Sequence, residues 1–435
     1  MNLLATSLIA SRPADAARRK FLKLGAKVVL AYPLLGMLRQ KSADARGDEQ
    51  LLEEIERTAF LFFWKEASSS TGLVKDRALV NGGDSRQLAS VAATGFGLAA
   101  LCIGAERGYE SPAEIRKRVR STLEFLLDSK PLTVNGFFYH FIDMKSGARA
   151  PNSELSSIDT TILLCGVLTA RKYFQDAQIT SLATRLYERV DWPWMLNGGV
   201  TFAMAWKPED GFTRARWDTY NELMMLYLLA IGSPTKPVAP TTWAAWARPK
   251  VEFKGIKYIS GAAPLFIHQY SHAWFDFRNK RDAYANYFEN SVKATRAHKL
   301  FCLSLAGQFP DYTENLWGIT ASDSVHGYVA WGGPPAEGPI DGTVVPAAAA
   351  GSLPFLPSDT LKVLRTVRER YPAAWGQYGF VDAFNPLTNW VNPDVIGIDT
   401  GISMLMAENV RTGFVWKTFM KNPEVKKAMK LAGFH

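Results

Sequence analysis

The sequence predicts an all-α protein built as an (α/α)6 barrel, with six inner apolar helices inside six or more outer amphipathic helices. Apolar stretches of helical length alternate along the chain with stretches whose apolar residues recur every three or four positions. No alternating run is long enough to form a major sheet, and a hydrophobic content of 47% supports a large core. A helix that is apolar on all sides must be buried, whereas an amphipathic helix covers it from outside, so two layers satisfy both patterns.

The elements of the two layers follow one another in order. The amphipathic stretches are residues 49–66, 112–128, 178–190, 282–300, 358–370 and 415–431. The apolar stretches between them are residues 86–104, 158–170, 222–232, 264–278, 341–353 and 398–407. Residues 239–252 are a weak candidate for one more outer helix.

Three of the apolar stretches begin with a carboxylate. Glu222 precedes the wholly apolar run 223–231, and Asp159 and Asp399 hold the same position ahead of two other runs. For one residue, an acid stabilised by the helix dipole is an equally good interpretation. The recurrence instead indicates that several buried helices present their N-termini at one surface, where desolvation raises carboxyl pKa values.

Two long loops accompany these acids. Residues 315–328 and 374–384 combine glycines, aromatic rings and carboxylates. Aromatic faces and polar edges suit a glycan cleft, although ordinary loop packing explains any single tryptophan equally well.

Residues 1–45 have the pattern of a twin-arginine signal peptide. Arg18 and Arg19 precede a moderately apolar stretch, and Ala43-Asp-Ala45 forms a small-residue cleavage site. We therefore expect recognition by the twin-arginine export machinery and a periplasmic location, with residues 46–435 as the catalytic domain. The alternative is a basic amphipathic N-terminal helix.

The basic charge of the chain is concentrated in this segment. Residues 1–45 carry +6 of the overall net charge of +9, so the remainder is close to neutral and no nucleic-acid footprint is expected. No clean apolar stretch of membrane-spanning length follows the N-terminus. Cys102, Cys165 and Cys302 lie in apolar helical stretches without metal-ligand spacing, which predicts buried thiols.

Several motifs together resemble the glycoamylase-like domain, from about residue 53 to residue 434. They are the segments 71–77, 221–224 with 232–235, 264–278, 290–295, 318–323, 376–384, 397–401 and 407–409. That domain includes glycoside hydrolase family 144, the bacterial endo-β-1,2-glucanases, and is similar to a region of cyclic β-1,2-glucan synthases. The resemblance implies an (α/α)6 barrel that hydrolyses β-1,2-linked glucan with inversion.

The resemblance also implies roles for the three acids. Glu222 matches the general acid, Asp399 the base, and Asp159 a third essential acid near the scissile bond. Inversion requires a separation of roughly 6.5–9.5 Å between acid and base, so that a water fits between them. Further cleft residues expected to bind substrate are Asp76, Arg77, His268, Gln269, His272, Asp323, Tyr378 and Asp382.

One pair among these residues also suits a metal. His268 and His272 share a helix face at i, i+4, but no third ligand is evident, so sugar hydrogen bonding is favoured and no metal or cofactor is expected. For Asp76 and Arg77 a local ion pair is the simpler interpretation.

Two departures from the family pattern leave the exact glycan open. Lys236 stands where the family often has His, and Thr400-Gly401 where it often has Gln-Gly. The alternatives are an exo-acting enzyme, a transglycosylase that uses the same acids, a polysaccharide lyase with Tyr270 or His272 as base, and a non-catalytic glycan-binding protein.

Overall fold

The computed structural model describes residues 46–129 and 132–435. The segment predicted as a signal peptide lies outside these ranges. A compact unit spans Leu52–His435 and carries all the candidate site residues. Residues 46–51, the described part of the other unit, are helical.

Within the described ranges the helices fall into two groups. The first group is buried on nearly every side: α2 (Val91–Arg107), α4 (Ser157–Phe174), α7 (Met224–Gly232), α8 (Tyr270–Trp274), α10 (Pro346–Ala350) and α12 (Gly397–Arg411). The second group buries only part of its surface: α1 (residues 46–65), α3 (Pro112–Asp128), α5 (Ala177–Glu188), α6 (Trp192–Leu196), α9 (Tyr287–Ser304), α11 (Pro357–Arg370), α13 (Phe414–Phe419) and α14 (Pro423–Leu431). The two predicted kinds of helix are therefore both present.

The buried helices contact one another in a closed order. Helix α2 packs against α4 and α12, α4 against α7, and α12 against α8 and α10. The hydroxyl of Ser271 joins α8 to α7 by accepting from Met225 N at 3.1 Å. Gln269, just before α8, donates to the α10 carbonyl of Ala348 at 2.9 Å.

Glycines set the contact between α2 and α4. A Cβ on Gly166 would lie 2.0 Å from the carbonyl oxygen of Gly95, and a Cβ on Gly95 would lie 2.5 Å from that of Ile162. No side chain fits at these distances, so the two backbones touch directly.

The outer layer beside α7 differs from the prediction. Residues 239–252 do not form a helix: they contain a 3₁₀ turn at Pro240–Ala244 and the start of a strand. Helix α14 packs on α7 instead, and a Cβ on Gly232 would lie only 2.5 Å from the carbonyl oxygen of Glu424. The predicted single helix over 415–431 is interrupted between α13 and α14, because Pro423 cannot continue a helix from Asn422 and begins a new one.

The strands of the described chain are short, as the absence of alternating runs predicts. They form eight two-stranded sheets and one three-stranded sheet. They are β1 (Arg77–Leu79), β2 (Leu88–Ser90), β3 (Thr133–Val134), β4 (Phe137–Phe138), β5 (Phe141–Asp143), β6 (Leu155–Ser156), β7 (Phe202–Ala203), β8 (Ala205–Lys207), β9 (Gly211–Phe212), β10 (Arg216–Trp217), β11 (Lys250–Phe253), β12 (Ile256–Ile259), β13 (Ser322–Ser324), β14 (Gly327–Val329), β15 (Trp375–Gly376), β16 (Gly379–Phe380), β17 (Phe384–Asn385), β18 (Trp390–Val391) and β19 (Asp394–Ile396).

Two further sequence expectations concern the core and the membrane. Cys102, Cys165 and Cys302 are buried free thiols, which confirms that prediction. Among the helices of the described residues, none has the length and apolar character needed to cross a membrane.

Candidate active site

Asp159 lies at the start of α4, immediately after β6. Ser156 caps the helix by accepting from Asp159 N at 3.2 Å, and its hydroxyl donates back to the Asp159 carboxylate. The other carboxylate oxygen of Asp159 faces His140 Nε2 at 3.6 Å, while His140 Nδ1 contacts Glu154 at 2.9 Å. Although burial opposes its charge, Asp159 and Glu154 raise the pKa of His140 to about 9. Asp159 therefore faces an imidazolium at neutral pH.

Glu222 lies in a turn two residues ahead of α7, as its sequence position predicts. The adjoining helix α8 fixes this turn, because Ser271 Oγ donates to the backbone carbonyl of Glu222 at 2.6 Å. Its carboxyl oxygen Oε2 is buried and meets no hydrogen-bond partner among the described residues. Burial, together with the charge of Asp159, raises the pKa of Glu222 to about 8. Glu222 is thus a protonated acid at neutral pH.

Asp399 occupies the first turn of α12, directly after β19. The pairing of β1 with β19 sets Arg77 opposite Ile396, and Gly397 N donates to the carbonyl of Asp76 at 2.7 Å. The buried Asp399 carboxyl contacts that of Asp382, and both burial and the Asp382 charge raise its pKa. A strand pair thereby brings residues from opposite ends of the chain to the same place.

Asp382 and Asp323 continue this cluster. Asp382 Oδ2 accepts from Asp323 N at 2.8 Å and from Asn392 Nδ2 at 3.0 Å. Arg77 donates to Asp323 at 2.6 Å and to Asp76 at 3.1 Å. Asp76 and Arg77 are therefore part of a network that spans three chain segments, rather than an isolated surface ion pair.

Two tyrosines show that the acids share one region. Tyr270 is buried at the start of α8; burial raises its phenol pKa, as do the charges of Asp399, Glu222 and Asp159. Tyr328 in β14 is exposed, and its phenol responds in the same direction to desolvation, Asp399 and Glu222. All three predicted acids therefore act on Tyr270, and two of them, Asp399 and Glu222, also act on Tyr328.

Three of the predicted sugar ligands lie elsewhere. His268 is 3% exposed, and its ring nitrogens meet Tyr220 Oη at 3.1 Å and Ser260 Oγ at 3.2 Å. The Gln269 amide donates to backbone and side chain near α10, and His272 is buried against Ser291. All three side chains are buried in the core, where only His272 Nδ1 among their ring nitrogens meets no hydrogen-bond partner in the described residues. Their burial corrects the interpretation of His268, Gln269 and His272 as sugar-binding residues.

Tyr378 also differs from the prediction. Its hydroxyl donates to Glu66 at 2.6 Å, and the Glu66 carboxylate also holds Lys75 in a buried ion pair. The Tyr378 ring lines a cavity shared with Asp382 and Asp399, so it lies beside the acids with its hydroxyl already bonded.

Sequence reasoning missed four residues of the network: His140, Glu154, Asn392 and Tyr328. His140 follows three aromatic residues in a loop, so no helical spacing marks it. Its position depends on the antiparallel pairing of β2 with β5 and on the bond from His140 N to the Glu154 carbonyl at 2.8 Å.

The described residues contain no cluster of three or more His, Cys, Asp or Glu side chains arranged to hold a metal ion. Fold and site together define a class: a two-layered helical protein with a cluster of buried carboxyl groups, several of which have raised pKa values, as is typical of acid–base sites.

Comparisons with known proteins agree with this class. The Glycoamylase family model, described as "Putative glucoamylase", matches residues 214–423. A Bacteroides uniformis structure of the same description is 30% identical, with a TM-score of 0.82 over 89% of this chain and 98% of that one. The endo-β-1,2-glucanase of Chitinophaga pinensis, solved with sophorotriose and glucose, is 28% identical with the same TM-score and coverage.

A curated relative has an exo-acting activity. The exo β-1,2-glucooligosaccharide sophorohydrolase (non-reducing end) of Parabacteroides distasonis is 30% identical over 423 residues, 88% of this chain. The chain spans 58% of the length of that relative. With the family model and these relatives, the chain belongs to the glycoamylase-like family.

Proposed function

We propose that this protein is a glycoside hydrolase that cleaves β-1,2-linked glucan by an inverting acid–base mechanism. The observation that carries the proposal is the buried carboxyl of Glu222, whose Oε2 meets no hydrogen-bond partner among the described residues, in a region that also contains Asp399 and Asp159. The relatives named for endo- and exo-action on β-1,2-glucan support the choice of substrate.

In this mechanism Glu222 donates its proton to the leaving glycosidic oxygen. A water attacks the anomeric carbon from the opposite face and gives its proton to Asp399. Asp159, held between Ser156 and His140, stabilises the positive charge that develops on the sugar ring. Desolvation of Glu222 keeps its proton available near neutral pH, which is what a general acid requires.

We also infer that the six buried helices form the inner ring of an (α/α)6 barrel, with the acids at one end of that ring. Their closed order of contacts supports this architecture. Export by the twin-arginine route to the periplasm remains a proposal from residues 1–45. It is tested by a reporter fusion in which Arg18 and Arg19 are both changed to Lys.

The test of activity compares linear β-1,2-glucan, β-1,3-glucan and starch after incubation with the purified protein. We expect new reducing ends from β-1,2-glucan alone, with the inverted anomer detected first by NMR. Oligosaccharides of several lengths indicate endo-action, and a single disaccharide product indicates exo-action. An ultraviolet-absorbing double bond, products longer than the substrate, or unaltered glucan would each contradict hydrolysis.

A further inference from the structure

Asp382 and Asp399 are two buried carboxyl groups that line the same cavity. Asp382 is 2% exposed and Asp399 is 8% exposed. Their carboxyl groups lie close enough for each to affect the pKa of the other. Two carboxylates are both acceptors of like charge, so this proximity favours a proton on one of them.

The remaining contacts indicate which residue carries the proton. Asp382 Oδ2 accepts from Asp323 N at 2.8 Å and from Asn392 Nδ2 at 3.0 Å, which stabilises negative charge on Asp382. Its other oxygen, Oδ1, is buried and meets no N–H or O–H donor among the described residues. A proton on Asp399 supplies the missing donor. The pair thus holds one proton, located on Asp399, and one negative charge, located on Asp382.

We propose that Asp382 and Asp399 act as one proton-holding pair, in which Asp382 takes the proton of Asp399 when Asp399 receives a proton from the attacking water. This inference rests on the proposed hydrolysis. The water forms a bond to the anomeric carbon as the glycosidic bond breaks, and the Glu222 proton goes to the leaving oxygen. The proton of the water goes to Asp399, whose own proton passes to Asp382, so the pair gains one proton as Glu222 loses one.

The proton must then leave the pair before the next turnover. A narrow cavity contacts both Asp382 and Asp399, and neither Glu222 nor Asp159 lines it. Its wall includes half-buried Thr58 and Trp375, so it reaches the surface between α1 and β15. The proton of the pair leaves through this cavity, whose lining does not include the proposed general acid.

Other charges near the pair set the pH at which it works. The charged and titratable groups that face it are Arg77 in β1, Asp323 and Tyr328 in β13 and β14, and Tyr270 in α8. Burial raises the pKa of Asp382 to about 7. Below this pH the pair holds two protons and accepts no more, so activity falls on the acid side.

The test is Asp382→Asn. The carboxamide donates to Asp399, which lowers the pKa of Asp399 and leaves it ionised. We expect the acid limb of kcat/KM for β-1,2-glucan to move down by roughly one pH unit or more. The maximal kcat should fall about 10- to 100-fold, since Asp399 becomes a weaker base with no relay partner. The alkaline limb, set by Glu222, should stay in place.

Asp282→Asn is the matched control. Asp282 is also a buried aspartate, but it accepts from Trp243 Nε1 at 2.8 Å and Tyr287 Oη at 3.0 Å, far along the chain from the site network. We expect Asp282→Asn to lower the melting temperature and leave the acid limb unchanged. An unchanged acid limb in Asp382→Asn as well would overturn the proposal and make Asp382 a structural residue.

A second measurement does not depend on activity. Because the folded-state pKa of the pair is raised, the wild type should lose stability as the pH rises from about 4 through about 7. Asp382→Asn should make this dependence of the melting temperature shallower, leaving the part that Glu222 contributes, and Asp282→Asn should not. A slope in Asp382→Asn as steep as in the wild type would contradict proton sharing. If the wild type left β-1,2-glucan intact, the proposed hydrolysis would fail while this titration still tested the pair.

Discussion

Buried acidic residues lie at both ends of helix α12, and their neighbours differ between the two ends. At its start, Asp399 contacts Asp382 without an intervening cation. At its end, Glu408 receives Arg107 at 2.8 Å, and the buried Glu56 lies against both Arg107 and Arg411. The carboxyl groups at one end therefore lie against each other, and those at the other end are paired with guanidinium groups, although burial still raises the pKa of Glu56 to about 8.

The difference separates acids that take part in chemistry from acids that hold the fold. A carboxyl group kept neutral by desolvation can give up its proton, which suits a catalytic acid. A carboxylate held by arginine is fixed in place, and removing its cation leaves an uncompensated buried charge. Burial and Glu408 still raise the pKa of Glu56, so the arginines only partly offset the cost of burial.

The largest effect should come from replacing the proposed general acid, Glu222, with a side chain that cannot donate a proton to the leaving group. Glu222→Gln should lower kcat on β-1,2-glucan by about 10²–10⁴-fold, because the amide cannot act as an acid. Burial raises the pKa of Glu222 to about 8, so Glu222 contributes stability that is lost as the pH rises from about 4.5 toward 8, and the variant lacks this contribution. Reducing-end assays and melting curves at pH 5 and 8 check both effects. Glu222→Gln with near-normal kcat would remove Glu222 from the mechanism.

Removing a cation from the other end should change stability without changing chemistry. Arg411→Met removes the guanidinium group that pairs with buried Glu56, and the Arg411 side chain is only 5% exposed. The substitution should reduce the free energy of unfolding by about 3–5 kcal/mol. Urea unfolding measures this loss, and kcat per folded molecule should stay close to wild type. Arg57→Met is the control, since Arg57 is 59% exposed and its bridge to Glu53 is worth less than about 1 kcal/mol. Equal losses in the two variants would contradict the contrast between the ends.

The smallest expected effect comes from His140, a cation that faces one of the predicted catalytic acids. His140 is the cation nearest to Asp159, and its pKa is raised from 6.5 to about 9. Its stabilising charge is fully present below pH 6.5 and is lost as the pH rises through about 9. His140→Gln should therefore be less stable than wild type at pH 6, with the gap in melting temperature closing by pH 9–10. A gap that widened with pH would show that His140 is neutral in the folded protein.

Site residues that lie at the start of apolar helices could be predicted from the sequence. Glu222, Asp159 and Asp399 stood out because each precedes an apolar run, and the structure places all three near Tyr270. His140 did not stand out, since short strand pairs rather than helical periodicity bring it to Asp159.

The same pattern reasoning misplaced His268 and His272. Their i, i+4 spacing suits a functional pair, but each ring hydrogen bonds to hydroxyl groups from different segments of the chain. The outer layer beside α7 could not be predicted either, because α14 reaches it from almost two hundred residues along the chain. Only tertiary packing decides which amphipathic helix covers which apolar one.

The bare contact between Gly95 and Gly166 has a consequence for the acids above it. Seven residues separate Gly166 from Asp159 on α4, about 10 Å along a helix axis. Because the two glycines let the helices touch, the angle between α2 and α4 sets the position of Asp159 relative to the other acids. A single methyl group at this contact would push the two helices apart and move the Asp159 carboxylate, so the spacing of the acids depends on two side chains that are absent about two turns away.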